Sequence, residues 1–575
     1  MKTSTSIQNA LFFGCFSLLA VSCSPNSSGE PDDQPLSTTE ISEDFSWSAS
    51  NRGSLVIAVT AKNELDPSGM SITLTDAEGR AVAHSLIENG EAHFDVVLPA
   101  SIQLTATINE TGSSTSIDAM GNHSIEITSK DRPVSGVYKT SPPCSTCGFL
   151  AANASAESPI IPAATYRIVD ASTVPDWQTT APDDKIEIWS SGFKGVPSIE
   201  GNQFIEINAN SYGDQGVYQE ICAAPGSTIY WSLYHRGRDG VDSAIVKIGA
   251  TTATATVVDT LVNGNTAWGF HKGIYTVPAG QPVTVILFEA LYTASGNTSV
   301  GNFIDALVVD CDADADGVPN SSDDYPTDPL RAYRIPFPTV GEQILGFEDL
   351  WPFKGDYDFN DLQAKHSGYF VKNADLEYVE GFFDISLDAI GAGLDNGIGI
   401  LLRDATGDSI TTDVLSSVDE GSADAANRNG IIPTSDIFAG LTTFYKNNGM
   451  GPSATPDTVR YAMSFLPEIT GTLEPELYLF RTDDRTLEIH RPNILPTMAF
   501  DNARRGTFDD AGNFRSTDQL PWAIEIVSST MYLPAREMID ITEAYPLFKS
   551  WAQSGGTTDV LWYTTPDQTK VFSFE

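Results

Sequence analysis

The feature that most constrains this chain is a series of short segments in which apolar and polar residues alternate, each closed by turn residues. Ser54–Ala61, Met70–Thr75, Ala81–Leu86, Ala92–Leu98 and Ile102–Ile108 follow one another, with Asp66-Pro67-Ser68-Gly69 and Glu78-Gly79 among the turns between them. A period of two puts every second side chain on one face of a strand. Runs this short, punctuated this often, predict two stacked antiparallel sheets over residues 46–130. No residue there points to chemistry, so this unit reads as a spacer, with weak ligand binding as the lesser alternative.

The same grammar continues over residues 160–310. Val174 to Trp189, Gly192 to Pro197, Glu200 to Asn208, Tyr230 to Arg238 and the closing Gly301 to Val309 are β-rich and turn-bounded. The first unit resembles small immunoglobulin-like surface modules. The second resembles the galactose-binding-like jelly rolls of secreted bacterial proteins. The fold class expected is therefore mainly β, a multi-domain chain of β-sandwiches. One short helix is expected at Thr542–Gln553: Thr542 can cap it, Pro546 falls in its first turn, and Tyr545, Phe548 and Trp551 form a packing stripe.

Composition enters next. A chain of 575 residues has room for roughly three or four domains. Its 76 acidic against 32 basic residues give a net charge of −44, which repels phosphate backbones and argues against nucleic acid as a partner. Acidic clusters suit hard cations, calcium above all. A solubilising surface is the plain alternative.

The amino terminus implies export. Met1-Lys2 is followed by an apolar stretch, Ala10 to Val21, too short to span a bilayer. Leu19-Ala20-Val21-Ser22-Cys23 resembles a bacterial lipobox, in which the cysteine is acylated and becomes the mature terminus. This implies a signal peptide at 1–22, a lipid anchor on Cys23 in the outer membrane, and surface exposure. The Ser-, Pro- and acid-rich stretch 23–45 reads as a solvated tether. Of the remaining cysteines, Cys144 and Cys147 sit in the linker 131–159, while Cys222 and Cys311 flank strands of the jelly roll. Four cysteines allow three pairings. Cys222–Cys311 is favoured, because early and closing strands lie side by side in such a fold, with Cys144–Cys147 as a local bridge.

Trp189, Trp231, His235, Arg236 and Arg238, with Phe193, are the residue types that stack on and bond to sugars. They are the candidate ligand residues for a polysaccharide or matrix surface. The competing reading is that both tryptophans are core and the arginines pair with local carboxylates.

Asp312-Ala-Asp-Ala-Asp-Gly-Val-Pro-Asn-Ser-Ser-Asp323 is the sharpest motif. Carboxylates fall at loop positions one, three and five (Asp312, Asp314, Asp316), glycine at six, Val318 at seven, Asn320 at nine and Asp323 at twelve, which is calcium-loop spacing. The residues after Asp323 do not read as a helix. The loop resembles a single thrombospondin type-3 repeat, and serves as a calcium-binding connector over 311–330. An acidic hinge is the alternative.

Residues 331–575 form the last domain. Gly346-Phe-Glu-Asp-Leu-Trp-Pro-Phe-Lys-Gly-Asp-Tyr-Asp-Phe-Asn-Asp-Leu362, with Glu488-Ile-His-Arg-Pro492, Leu520-Pro-Trp-Ala-Ile524 and Trp551-Ala-Gln-Ser-Gly-Gly556, resembles the LruC-domain lipoproteins of Bacteroidota-like bacteria. That resemblance implies a location and no catalytic residues. Asp356, Asp358 and Asn360 alternate with Tyr357 and Phe359. On a strand they would share one face, and with Asp361 and Glu348 or Asp349 they could hold a second calcium. Turn-capping is the even alternative. His-Glu-x-x-His, Gly-x-Ser-x-Gly and phosphate-binding glycine loops are absent from the sequence. The expectation is a non-catalytic, calcium-stabilised surface lipoprotein for adhesion or glycan binding. A structural envelope component is the runner-up, and a glycoside-active enzyme a minor alternative.

Overall fold

The computed structural model describes residues 41–61, 67–68, 70–109, 111–117, 122–127, 151–210, 215–391, 393–404 and 458–572, together with 410, 415–419, 422–424, 430–434, 445–446 and 456. Cys23, Cys144, Cys147, the leader and most of the tether lie outside these.

The expected strands form nearly where the alternation places them. Ser48–Ala61, Ser71–Thr75, Ala81–Glu88, Glu91–Pro99 and Leu104–Ile108, with Ser114–Ile117 and Asn122–Ile127, build the first sandwich. Ser71–Thr75 alternates half-buried and buried positions, and Ile72 and Leu74 are fully enclosed. Leu55, Ile57, Ile87 and Phe94 join them in one apolar core.

The second unit is two stacked sheets. One runs Gly269–Thr276, Thr228–Arg236, Phe303–Cys311, Gln203–Glu206, Lys185–Ser190, Tyr166–Asp170; the other runs Thr256–Asn263, Asp242–Gly249, Thr284–Tyr292, Gly216–Ile221, Gln178–Thr179. The early strand Gln203–Glu206 pairs with the closing strand, Ile205 opposite Ile304. Cys222, just past Gly216–Ile221, and Cys311, which ends the closing strand, are both disulfide-bonded.

The last domain stacks a curved sheet of Glu342–Phe347, Leu362–Lys372, Tyr378–Ile390, Val459–Ile469 and Ala523–Ser528 on a smaller one containing Asn396–Arg403, Glu474–Arg481 and Asp484–Ile489. A cap of short helices covers the other side. The expected helix is divided into Ile541–Ala544 and Phe548–Gln553. Pro546 is the reason: the residue before a proline avoids helical backbone, and Tyr545 has φ −130° and ψ 89°. Asp540, not Thr542, is the cap, accepting the Thr542 N–H at 2.7 Å. The Tyr545, Phe548 and Trp551 stripe is wholly buried.

One boundary differs in kind. Ile41, Phe45, Trp47 and Ala49 are buried in the helical cap of the last domain, not in a tether or in the first sandwich. Trp47 and Phe45 pack edgewise on Trp551. Ser48 and Ala49 pair in parallel with Glu525 and Ile526 before the same strand crosses into the first sandwich. The tether expected to reach residue 45 is thus folded from Ile41 onward. Ile41 and Phe45 bind it, each worth about 1.5–3 kcal/mol when fully buried.

Candidate metal centres

The strand Phe303–Cys311 delivers the loop 312–323. The Asn320 N–H donates to the Cys311 carbonyl at 2.7 Å and closes the loop at its base. Asp312 is fully buried. Its Oδ1 accepts from the amides of Ala315 (2.7 Å) and Asp316 (3.2 Å), and its Oδ2 from Gly317 (3.0 Å). Gly317 has φ +93° with open space around it, so glycine is required by backbone conformation and not by crowding. Asp316 Oδ1 accepts the Val318 amide at 2.8 Å, and Asn320 Oδ1 that of Ala313 at 2.9 Å. Asp323 Oδ1 accepts the Tyr325 amide at 2.6 Å. No helix follows, as expected.

Four oxygens remain. Both of Asp314, Asp316 Oδ2 and Asp323 Oδ2 are buried without a partner. Asp312, Asp314 and Asp316 each offer an oxygen within 4.8 Å of the others. Oxygens no farther apart than this can share one calcium ion bonded at roughly 2.3–2.6 Å. Burial, followed by the neighbouring carboxylates, pushes Asp316 up to about 6 and Asp323 up to about 7. A set of carboxylates that raise one another and lack donors is what a divalent cation relieves.

The second acidic set is not on a strand. Residues 356–361 are irregular and the strand begins at Leu362. Tyr357 (φ 58°) and Phe359 (φ 52°) are left-handed, a costly state for bulky residues. Their rings are held in the cap core, Phe359 against Phe548. The acids are consequently turned the other way, as alternation on a strand would have done. Glu348 accepts the amides of Phe359 (2.7 Å) and Tyr357 (3.2 Å), and Asp358 those of Asn360 (3.1 Å) and Met538 (2.8 Å). Glu348, Asp356 and Asp358 bring oxygens within 4.8 Å of one another. Asp361 stands beside Asp349, accepting its amide at 2.8 Å, outside that trio. Asn360 donates to the Ala535 carbonyl at 3.0 Å while its own Oδ1 is buried and unpartnered.

Burial first, then like charge, pushes Asp358 and Asp361 up to about 8 and Glu348 well above the carboxylate range. Two further residues belong here. Asn396 bonds Asp349 at 2.9 Å and keeps Oδ1 free; Glu537 is raised by burial and by Asp356 and Asp349. The sequence carries no signal for Glu537, which is 181 residues from Asp356.

The candidate sugar residues are not an open platform. Trp189 and Trp231 are 1 % exposed. Trp189 packs on Phe193 and Phe303, bonds Glu187 at 2.8 Å, and is covered by Arg238 at 4.7 Å. Trp231 lies between the two sheets. His235 is fully buried between Asn263 (2.8 Å) and Asn302 (2.9 Å). Arg236 donates to the Asn265 carbonyl, and Arg238 forms a two-pronged pair with Glu206 at 2.8 and 2.9 Å. A strand buried on both faces takes aromatics for packing, which is indistinguishable from a binding pattern in sequence alone.

Residues 378–563 match a domain family described as a domain of unknown function (DUF4842). No curated protein matches the chain. Among solved structures, a candidate lipoprotein from Bacteroides ovatus is similar at 12 % identity, over 69 % of this chain and 99 % of that one, with TM-score 0.32. A Stig cyclase, Fisc, from Fischerella sp. TAU matches at 14 % identity over 29 % and 99 %, TM-score 0.23. The C-terminal family 22 carbohydrate-binding module of Clostridium thermocellum Xyn10B matches at 16 % identity over 27 % and 96 %, TM-score 0.21.

Proposed function

We propose that this chain is a calcium-stabilised lipoprotein of the bacterial envelope, anchored in the outer membrane through Cys23 and exposed at the surface, and that it serves adhesion or polysaccharide binding without catalysis. The observation that supports it best is the loop 312–323, where four buried carboxylate oxygens lack donors around a trio spaced for one cation. The same ion holds the joint between the jelly roll and the last domain. The cluster around Glu348, Asp356 and Asp358 is the second calcium position. Cys222 and Cys311 are proposed to bond each other, and the last domain to be LruC-like.

The purified full chain tests this. Calcium should raise the melting temperature, EDTA should lower it, and polysaccharide pull-downs should lose signal in EDTA. An unchanged melting curve removes the calcium reading; retention of no polysaccharide removes the binding one. A second reading, a structural component with no soluble ligand, is favoured by the burial of Trp189, Trp231 and His235.

A further inference from the structure

Large apolar side chains are exposed on three loops of the last domain that meet over one buried trio. Trp351 packs on Phe500 and Phe514 at 5.5 Å each. Exposed on the segments that carry these three rings are Leu350 and Phe353 on the first loop, Leu495 and Met498 on the second, and Phe508 on the third. Met498 is 72 % and Phe508 71 % exposed. The rings of Phe353 and Phe508 lie 4.3 Å apart, and the Asp509 amide donates to the Pro352 carbonyl at 3.1 Å, so the first and third loops are bonded to each other. Phe508 is held at φ 52°, a strained backbone for an aromatic residue that stays mostly exposed. Several bulky apolar groups gathered in this way mark a docking surface.

What it docks on is indicated by where the chain enters. The Glu43 carbonyl accepts from Asn493 Nδ2 at 3.2 Å, and Arg515 reaches the Ser42 carbonyl at 2.6 Å. Residues 42–43 thus lie within one hydrogen bond of the loop that carries Leu495 and Met498. Cys23 lies 18 residues before Ile41, a reach of at most about 60 Å at roughly 3.3–3.6 Å per residue.

We propose that the Phe353–Phe508 face rests on the lipid surface that holds the anchor, seating the last domain on the membrane and turning the jelly roll away from it. The proposal rests on acylation of Cys23, and the test separates the two. The full chain, purified from membranes and reconstituted in phosphatidylethanolamine–phosphatidylglycerol vesicles, carries photoreactive p-benzoylphenylalanine at Phe508 or, as control, at Ile160, which is 89 % exposed on the jelly-roll side. Irradiation should give lipid adducts at 508 at least tenfold above those at 160. Phe353→Ser with Met498→Ser should cut that yield several-fold at an unchanged melting temperature. Equal yields at the two positions, or adducts of 508 only with a second copy of the chain, overturn the proposal. The intact mass of the purified chain reads the anchor separately. If Cys23 is unacylated, the anchor fails, and the same irradiation of the unacylated chain with vesicles decides the face: lipid adducts at 508 support it, and their absence overturns it.

Discussion

The two acidic centres are assembled from different amounts of chain. The loop 312–323 draws every candidate ligand from twelve consecutive residues, and its amides hold both oxygens of Asp312 and Oδ1 of Asp316 in place. The cluster gathers Glu348, Asp356 and Asp358 with Asn396 and Glu537, which reach it from separate parts of the domain. A local loop can be made by its own turn residues whatever surrounds it. A dispersed one exists only once the sheet and the helical cap are in place. Losing a cation from the first should loosen a joint; losing it from the second should loosen a domain.

The largest effect separates them directly. At calcium 100-fold above the dissociation constant each site adds about 2.7 kcal/mol. Calorimetry should therefore show two calcium-dependent transitions, both lowered by EDTA. Asp314→Ala with Asp316→Ala should remove the shift of one and leave the other. If that double variant abolishes all calcium dependence, the cluster is not a cation site and the comparison collapses.

Next comes a change of sign. Glu348→Gln with Asp358→Asn removes like charge that burial penalises, so it should stabilise the last domain in EDTA, on the order of 1–2 kcal/mol. In calcium the same variant should be less stable than the parent, having lost two ligands. Urea melts in both conditions check this, and the same sign in both defeats it.

The pH dependence is smaller. Asp316, Asp323, Asp358 and Asp361 are all raised when folded, to about 6, 7, 8 and 8. The folded state then binds more protons than the unfolded one between their ordinary range near 4 and these values, so stability falls as pH rises through the window. In EDTA the loop should lose stability mostly below pH 7 and the cluster up to pH 8 or beyond. Saturating calcium should flatten both slopes. A calcium-free protein that gains stability from pH 5 to 8 contradicts the assignment.

Gly355→Ala should give the smallest change. A Cβ there collides with Glu348 Oε2, so calcium affinity at the cluster should drop while the loop titrates as before. Isothermal titration calorimetry resolves the two.

Much of this was legible because it is local. Alternation placed the strands of the first sandwich within a few residues, and spacing alone located Asp312, Asp314 and Asp316. What escaped is what distance decides. Nothing in Ile41-Ser-Glu-Asp-Phe45 announces that its partners are Trp551 and Arg515. The turn of Asp356–Asp361 depended on Tyr357 and Phe359 being claimed by a core built some two hundred residues later. Trp189 and Trp231 had the composition of a binding face and the burial of a core.

The parallel pairing of Ser48 and Ala49 with Glu525 and Ile526 has a mechanical consequence. Tension applied at the amino-terminal end of the folded chain pulls along these short strands and so loads them in shear. It reaches the last domain before either sandwich, because Ile41, Phe45 and Trp47 must leave their cap first. The first structure to yield under load would be the seam between Ser48–Ala49 and Glu525–Ile526, leaving the second sandwich and the acidic loop 312–323 outside the strained segment.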